Sequence, residues 1–209
     1  MDTKIEAVIF DLGSVLATNE WPFTYEKIAQ EVGTDATNVK EVLAPLFNKW
    51  CAHEINEAEV WENCEKQLTT KFSEEFKKDF WLKTYQLWSK DIEGTWKIAK
   101  ELHEKKIRLA LLSNTIEIHV IANEDMGRFQ KLRDLGFEVF VFSYEEKMMK
   151  PDPRIYQVTL DKLAMTGEQC LMVDDKPNMA QGGTSLGIQG ICFQSPEQLK
   201  DEFVGLGVL

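Results

Sequence analysis

Residues 4–16 read KIEAVIFDLGSVL. The apolar run Lys4–Phe10 has the make-up of a strand, and Asp11 follows straight after its last apolar residue. Four later runs are alike: Ile107–Leu112 (IRLALL), Glu138–Phe142 (EVFVF), Cys170–Val173 (CLMV) and Gly190–Phe193 (GICF). Segments with helical periodicity fill most of the gaps, among them Thr95–Lys105 and Arg154–Leu163. Pro153 can open the second, because a proline in the first turn removes no internal hydrogen bond. Strands alternating with helices predict a parallel α/β sheet.

One stretch breaks the alternation. Between Ala17 and Asp91 there is no convincing strand, and apolar residues recur at helical spacing: Ile28 and Val32, then Val39, Val42, Leu43 and Leu46, then Trp81, Tyr85 and Trp88. All six tryptophans lie between Trp21 and Trp96. This predicts a four-helix insert over 17–91, set into an α/β domain formed by 1–16 and 92–209. Its aromatic residues are expected to fill the insert's own core rather than to line a ligand site.

Composition narrows the function. The 209 residues carry 24 Lys and Arg against 35 Asp and Glu, a net charge of −11. So acidic a chain is poorly suited to nucleic-acid phosphates or to an anionic membrane surface. Its longest apolar runs are too short to span a bilayer, and its first residues are acidic rather than signal-like. Cys51, Cys64, Cys170 and Cys192 show no paired spacing and are expected to be reduced. A cytoplasmic protein is the expectation.

In an open parallel sheet, ligands bind beyond the carboxyl ends of the strands. Here those ends carry polar residues: Asp11 in IFDLGSVL, Ser113 and Asn114 in LLSNT, Lys150 in KMMKPDPRIY, and Asp174 and Asp175 in MVDDKPN. A single strand-terminal aspartate is more often a turn or helix-cap residue than a nucleophile. Four such signals at equivalent positions exceed what turn chemistry requires. Brought together, each pair of carboxylates about 4 Å apart would cost on the order of 4 kcal/mol at an effective dielectric near 20. Cations are needed. Lys150 supplies one, and an all-oxygen ligand set points to Mg²⁺ as the second. Such a site suits a bound phosphate, with the cations neutralising its oxygens while a carboxylate attacks phosphorus.

These motifs, in this order and with a helical insert after the first strand, resemble those of the haloacid dehalogenase superfamily over essentially the whole chain. The resemblance implies a Rossmann-like core, with the insert as its cap, and a Mg²⁺-dependent phosphohydrolase acting on a small phosphorylated metabolite. It assigns the aspartyl-phosphate nucleophile to Asp11 and phosphate binding to Ser113, Asn114 and Lys150. It assigns metal binding to Asp11, the Gly13 carbonyl and Asp175, with Asp174 as a ligand or outer partner. Within the superfamily the DLG motif is most similar to bacterial sugar-phosphatase-like members, including glucose-1-phosphatase-like proteins.

Gly13 departs from that pattern. Phosphatases of the superfamily usually carry an aspartate there as general acid and base, and that proton transfer is typically worth about 10²–10⁴ in rate. Asn19, Glu20 and cap side chains are the candidates to replace it. Ser14 reads as a loop residue. Two alternatives stay open: a catalytically weak binding or regulatory protein, which Gly13 favours, and a metal-free haloacid dehalogenase, which Asp174 and Asp175 disfavour. Other signals carry less. GGTSLG (Gly182–Gly187) lacks the ending of a phosphate-binding loop, and its last glycine is expected to stop a helix. His53, His103 and His119 have no metal spacing and read as surface or packing residues. The charged run Ser73–Lys83 reads as a solvated helix face.

Overall fold

The computed structural model describes residues 5–209; Lys4, the first residue of the expected first strand, lies outside them. Five parallel strands form one sheet: β1 (Ala7–Phe10), β2 (Arg108–Ser113), β3 (Phe137–Phe142), β4 (Cys170–Asp174) and β5 (Gln189–Cys192). Their order is β3-β2-β1-β4-β5, so β1 lies at the centre. All five expected strands are present, with ends shifted by up to three residues.

Between β1 and β2 run α1 (Trp21–Val32), α2 (Ala36–Cys51), α3 (Glu57–Gln67), α4 (Glu74–Lys77), α5 (Phe80–Trp88) and α6 (Glu93–Glu104). Then come α7 (Glu117–Asp125) and α8 (Arg128–Leu135) before β3, and α9 (Ser143–Glu146) and α10 (Pro153–Leu163) after it. The last are α11 (Pro177–Ala180) and α12 (Pro196–Gly205). Pro153 opens α10, whose Asp152 cap accepts a hydrogen bond from the Arg154 amide. Gly187, at φ +91°, ends a short 3₁₀ turn, as its position in GGTSLG predicts.

Successive strand residues face opposite sides of the sheet. Val8, Phe10, Leu109, Leu111, Leu171 and Val173 pack with Ile98, Leu102, Phe129, Leu132, Leu199 and Phe203, which belong to α6, α8 and α12. Ala7, Ile9, Ala110, Leu112 and Met172 pack instead with Ile155, Tyr156, Leu160 and Leu163 of α10. Helices thus cover both faces, and β1 is buried along its whole length.

The helical stretch between β1 and α6 has a separate apolar cluster. Ile28, Val39, Leu43, Val60, Trp61, Phe80 and Trp81 are among its buried members. It contains four helices of nine residues or more and the single turn α4, one element beyond the expected four. The Ser73–Lys83 run is not one solvated face: it breaks at Asp79, whose φ is +58°, and its Phe76, Phe80 and Trp81 pack inward. The chain enters and leaves this stretch side by side. The Thr18 amide donates to Lys90 O, the Lys90 amide to Thr18 Oγ1, and the Ile92 amide to Leu16 O. Buried Arg128 holds the returning segment through Asp91 (2.6 Å), Ser89 Oγ (2.8 Å) and the Ser89 carbonyl.

Candidate active site

Asp11 follows β1, Ser113 ends β2, Lys150 lies on the loop between α9 and α10, after β3, and Asp174 ends β4. Because β1, β2 and β4 are adjacent and parallel, their carboxyl ends open on one edge, where the chain order switches direction. The Lys150 side chain is only 1% exposed. Its Nζ donates to Asp11 Oδ1 (2.9 Å), Asp174 Oδ2 (2.5 Å) and the Leu112 carbonyl (2.9 Å). All three ammonium protons are therefore used, which is what a buried lysine needs to stay charged.

The two adjacent aspartates differ. Asp174 is fully buried, and its second oxygen accepts from the Lys176 amide at 2.9 Å. Both of its oxygens are held by protein. Asp175 is half-buried and opens on the cavity. Burial pushes the Asp11 carboxyl up to about 6; Lys150 opposes the rise and the Asp174 charge adds to it. Asp175 is raised by burial first and by Asp174 second. Burial alone would lower the Lys150 ammonium, but Asp11 and Asp174 more than offset it and the net shift is upward.

One carboxylate oxygen from each of Asp11, Asp174 and Asp175 lies within 4.8 Å of the other two. With Lys150, the ionised cluster carries a formal charge of −2. A hard divalent cation would cancel that charge, so this oxygen donor set fits Mg²⁺.

The Asn114 side chain is engaged with the Lys150 main chain. Its Oδ1 accepts from the Lys150 amide (2.8 Å), and its Nδ2 donates to the Lys150 carbonyl (2.9 Å), so its carboxamide clamps the lysine backbone. Ser113 is buried at the cavity wall. Among the described residues, the amides of Leu12, Gly13 and Asn114 have no protein acceptor. Ser14 takes φ +63° and donates its amide to Ala17 O, closing a tight turn, which agrees with its reading as a loop residue.

Above these residues lies a cavity of about 300 Å³. Its far wall comes from the helical stretch and includes Trp21, Tyr25, Phe47, Asn48, Tyr85 and Trp88. The aromatic residues are therefore divided: Trp50, Trp61 and Trp81 fill the core, while Trp21 and Trp88 face the cavity. His119 is a packing residue that also reaches this cavity, with its ring centroid 4.2 Å from that of Tyr85. Burial lowers its pKa to about 3, so it is neutral near pH 7.

The family model of haloacid dehalogenase-like hydrolases matches residues 5–187. The chain belongs to this family. Among relatives of the hydrolase, a phosphorylated carbohydrates phosphatase of Thermotoga maritima is 29% identical over 195 residues, covering 90% of this chain and 84% of that protein. A flavin mononucleotide hydrolase of Arabidopsis thaliana is 23% identical, covering 76% and 64%. A haloacid dehalogenase family enzyme of Bacteroides thetaiotaomicron, solved as a magnesium complex, superposes with a TM-score of 0.77 at 23% identity, covering 95% and 98%. The L-2-haloacid dehalogenase of Xanthobacter autotrophicus superposes at 0.65 and 18% identity, covering 98% and 84%. Both superpositions show the hydrolase's fold. Among the described residues, no helix is long and apolar enough to cross a membrane.

Proposed function

We propose that the chain is a Mg²⁺-dependent phosphatase that hydrolyses a small phosphate monoester through an aspartyl-phosphate at Asp11. The observation that carries this reading is the buried Asp11–Lys150–Asp174 cluster with Asp175 beside it, a formal −2 charge at the floor of a cavity. A metal-free carboxylate attack would gain nothing from the two further aspartates. On this reading, residues 17–91 form a cap over the sheet edge.

Asp11 uses one oxygen to bind Lys150, which fixes the direction of the other. That second oxygen attacks phosphorus, the ester P–O bond breaks, and water later releases phosphate and restores the carboxylate. Ser113 and the amides of Leu12, Gly13 and Asn114 hold the phosphoryl oxygens, as preorganised donors do best in a dry site. Asp11, Asp175 and the Gly13 carbonyl would hold Mg²⁺, which supplies charge neutralisation at the phosphoryl group. Asp174 acts one layer out, keeping Lys150 charged and in place.

The cavity supports a sugar phosphate as substrate. Aromatic side chains at Trp21, Tyr25 and Trp88 line the cavity and suit the C–H groups of a sugar ring, and Asn48 and His119 beside them suit its hydroxyls. The Thermotoga relative, a phosphatase of phosphorylated carbohydrates, supports that class. The test is a phosphatase assay over sugar phosphates, nucleotides, acyl phosphates and aryl phosphates. Activity that disappears with excess chelator and in Asp11→Asn is the expected result. Full activity in chelator, or in Asp11→Asn, would overturn the reading; phosphate binding with no turnover on any ester would favour the binding-protein alternative.

A further inference from the structure

The position that lacks a carboxylate is not empty. Gly13 has an ordinary backbone rather than a left-handed one, so nothing in its φ demands glycine. A Cβ built there would meet Asn19 Nδ2 at 3.3 Å, Asn19 Cγ at 3.7 Å and Asn19 Cβ at 3.9 Å. The Asn19 carboxamide therefore lies against the space that a residue-13 side chain would enter, two residues from the Asp11 carboxylate. Asn19 and Gly13 both line the cavity. Among the described residues, no protein group hydrogen-bonds the Asn19 side chain, unlike Asn114 and Asn123, whose amides are committed. Thr18, just before it, is pinned by hydrogen bonds to Trp88 O and from the Lys90 amide, which fixes where Asn19 begins.

We infer that Asn19 is a catalytic residue that substitutes for the missing acid as a hydrogen-bond donor to the departing ester oxygen. The inference rests on the phosphatase reading above. As the bond from Asp11 to phosphorus forms and the ester bond breaks, the electron pair leaves on the alcohol oxygen. Asn19 Nδ2–H stabilises that developing charge without giving up its proton. The alcohol takes its proton from water. An amide has no proton to transfer near neutral pH, so stabilisation is by hydrogen bonding alone. Two consequences follow from the chemistry. The rate depends steeply on the acidity of the leaving alcohol, and anomeric or aryl phosphates outrun primary alkyl phosphates.

Wild type, Asn19→Ala and Asn19→Asp are compared with Mg²⁺ over a series of aryl phosphates of graded phenol acidity, together with a hexose 6-phosphate. Loss of one hydrogen bond to a charged oxygen predicts that Asn19→Ala lowers kcat about tenfold to a hundredfold on the poorest leaving groups. The drop shrinks on the best ones, and KM changes little. Asn19→Asp, of nearly the same volume, supplies a true acid: it narrows the gap between aryl and alkyl esters and adds a fall in kcat at high pH. Orthovanadate binding, followed by isothermal titration in the presence of Mg²⁺, gives a readout independent of turnover, because the apical oxygen of vanadate stands for the leaving oxygen. The affinity for vanadate should weaken in Asn19→Ala while the affinity for inorganic phosphate does not. A uniform loss across the whole series, or vanadate affinity unmoved by Asn19→Ala, overturns the role of Asn19. If Asn19→Ala fails to fold, unchanged leaving-group and pH dependence in Asn19→Asp does the same. A wild type that binds neither phosphate nor vanadate in the presence of Mg²⁺ overturns the phosphatase reading itself.

Discussion

Asp174 and Asp175 are identical in type and adjacent in sequence, and their surroundings separate them. Both Asp174 oxygens are bound inside the protein, whereas Asp175 opens on the cavity. Asp175→Asn should therefore raise the Mg²⁺ concentration needed for binding, with little change in the urea midpoint. Asp174→Asn should cost stability instead, about 3–5 kcal/mol, because it breaks a buried pair and leaves Lys150 with one anionic partner. Isothermal titration with Mg²⁺ and urea unfolding of both variants distinguish the two roles. His119 makes a second prediction at this scale. Unfolded, its imidazole takes up a proton near pH 6.5; folded, burial delays this to about 3. Between those values the unfolded state binds the extra proton, so stability falls as pH falls, by up to about 1.4 kcal/mol per pH unit. His119→Phe should lose that slope. Urea midpoints from pH 7 to 4 should move in the variant's favour relative to wild type, and parallel curves would refute the assignment.

Among the elements, α2 explains what could and could not be read from the chain. Its Val39, Leu43, Leu46 and Trp50 belong to the apolar cluster, while Ala44 and Asn48 line the cavity and Phe47 and Cys51 do both. Both sets are largely apolar, so periodicity finds the helix without saying which side meets a substrate. The sheet edge was legible for the opposite reason. A residue that ends a parallel strand has its location fixed by topology, so Asp11, Ser113 and Asp174 could be grouped before any distance was known. Side-chain commitments were not legible: Asn114 clamps the Lys150 main chain, and the Asn19 amide abuts Gly13 through a turn whose shape depends on Ser14 at positive φ. The cavity wall also sets a preference. Lys150 is consumed by its three acceptors and His119 is neutral, which among the described residues leaves Lys176 as the charged donor lining the cavity. A leaving group with a second phosphate or a carboxylate would meet little positive charge. Sugar bisphosphates and sugar-acid phosphates should show kcat/KM at least about tenfold below neutral sugar monophosphates, a penalty that a poorly compensated charge readily supplies. Equal values would refute this.

For the whole molecule, the telling feature is the junction where the chain leaves the sheet at Ala17 and comes back at Asp91. The two residues are bridged antiparallel, with hydrogen bonds on either side. To the sheet, the intervening seventy-odd residues are a detour whose two ends meet, and the entropy of closing such a loop grows only slowly with its length. The junction therefore works as a socket. If residues 17–91 act as a cap, what is plugged into it should be exchangeable without disturbing strand order, and one chemical floor would serve many substrates through changes of fitting. A chimera that keeps residues 5–18 and 90–209 but carries the corresponding helices of the Thermotoga relative should retain Asp11-dependent, Mg²⁺-dependent turnover of a small aryl phosphate. Its ranking of sugar phosphates should follow the donor of the helices. If the chimera folds and its ranking stays with the parent sheet, selectivity is set at the floor and the fitting only encloses it.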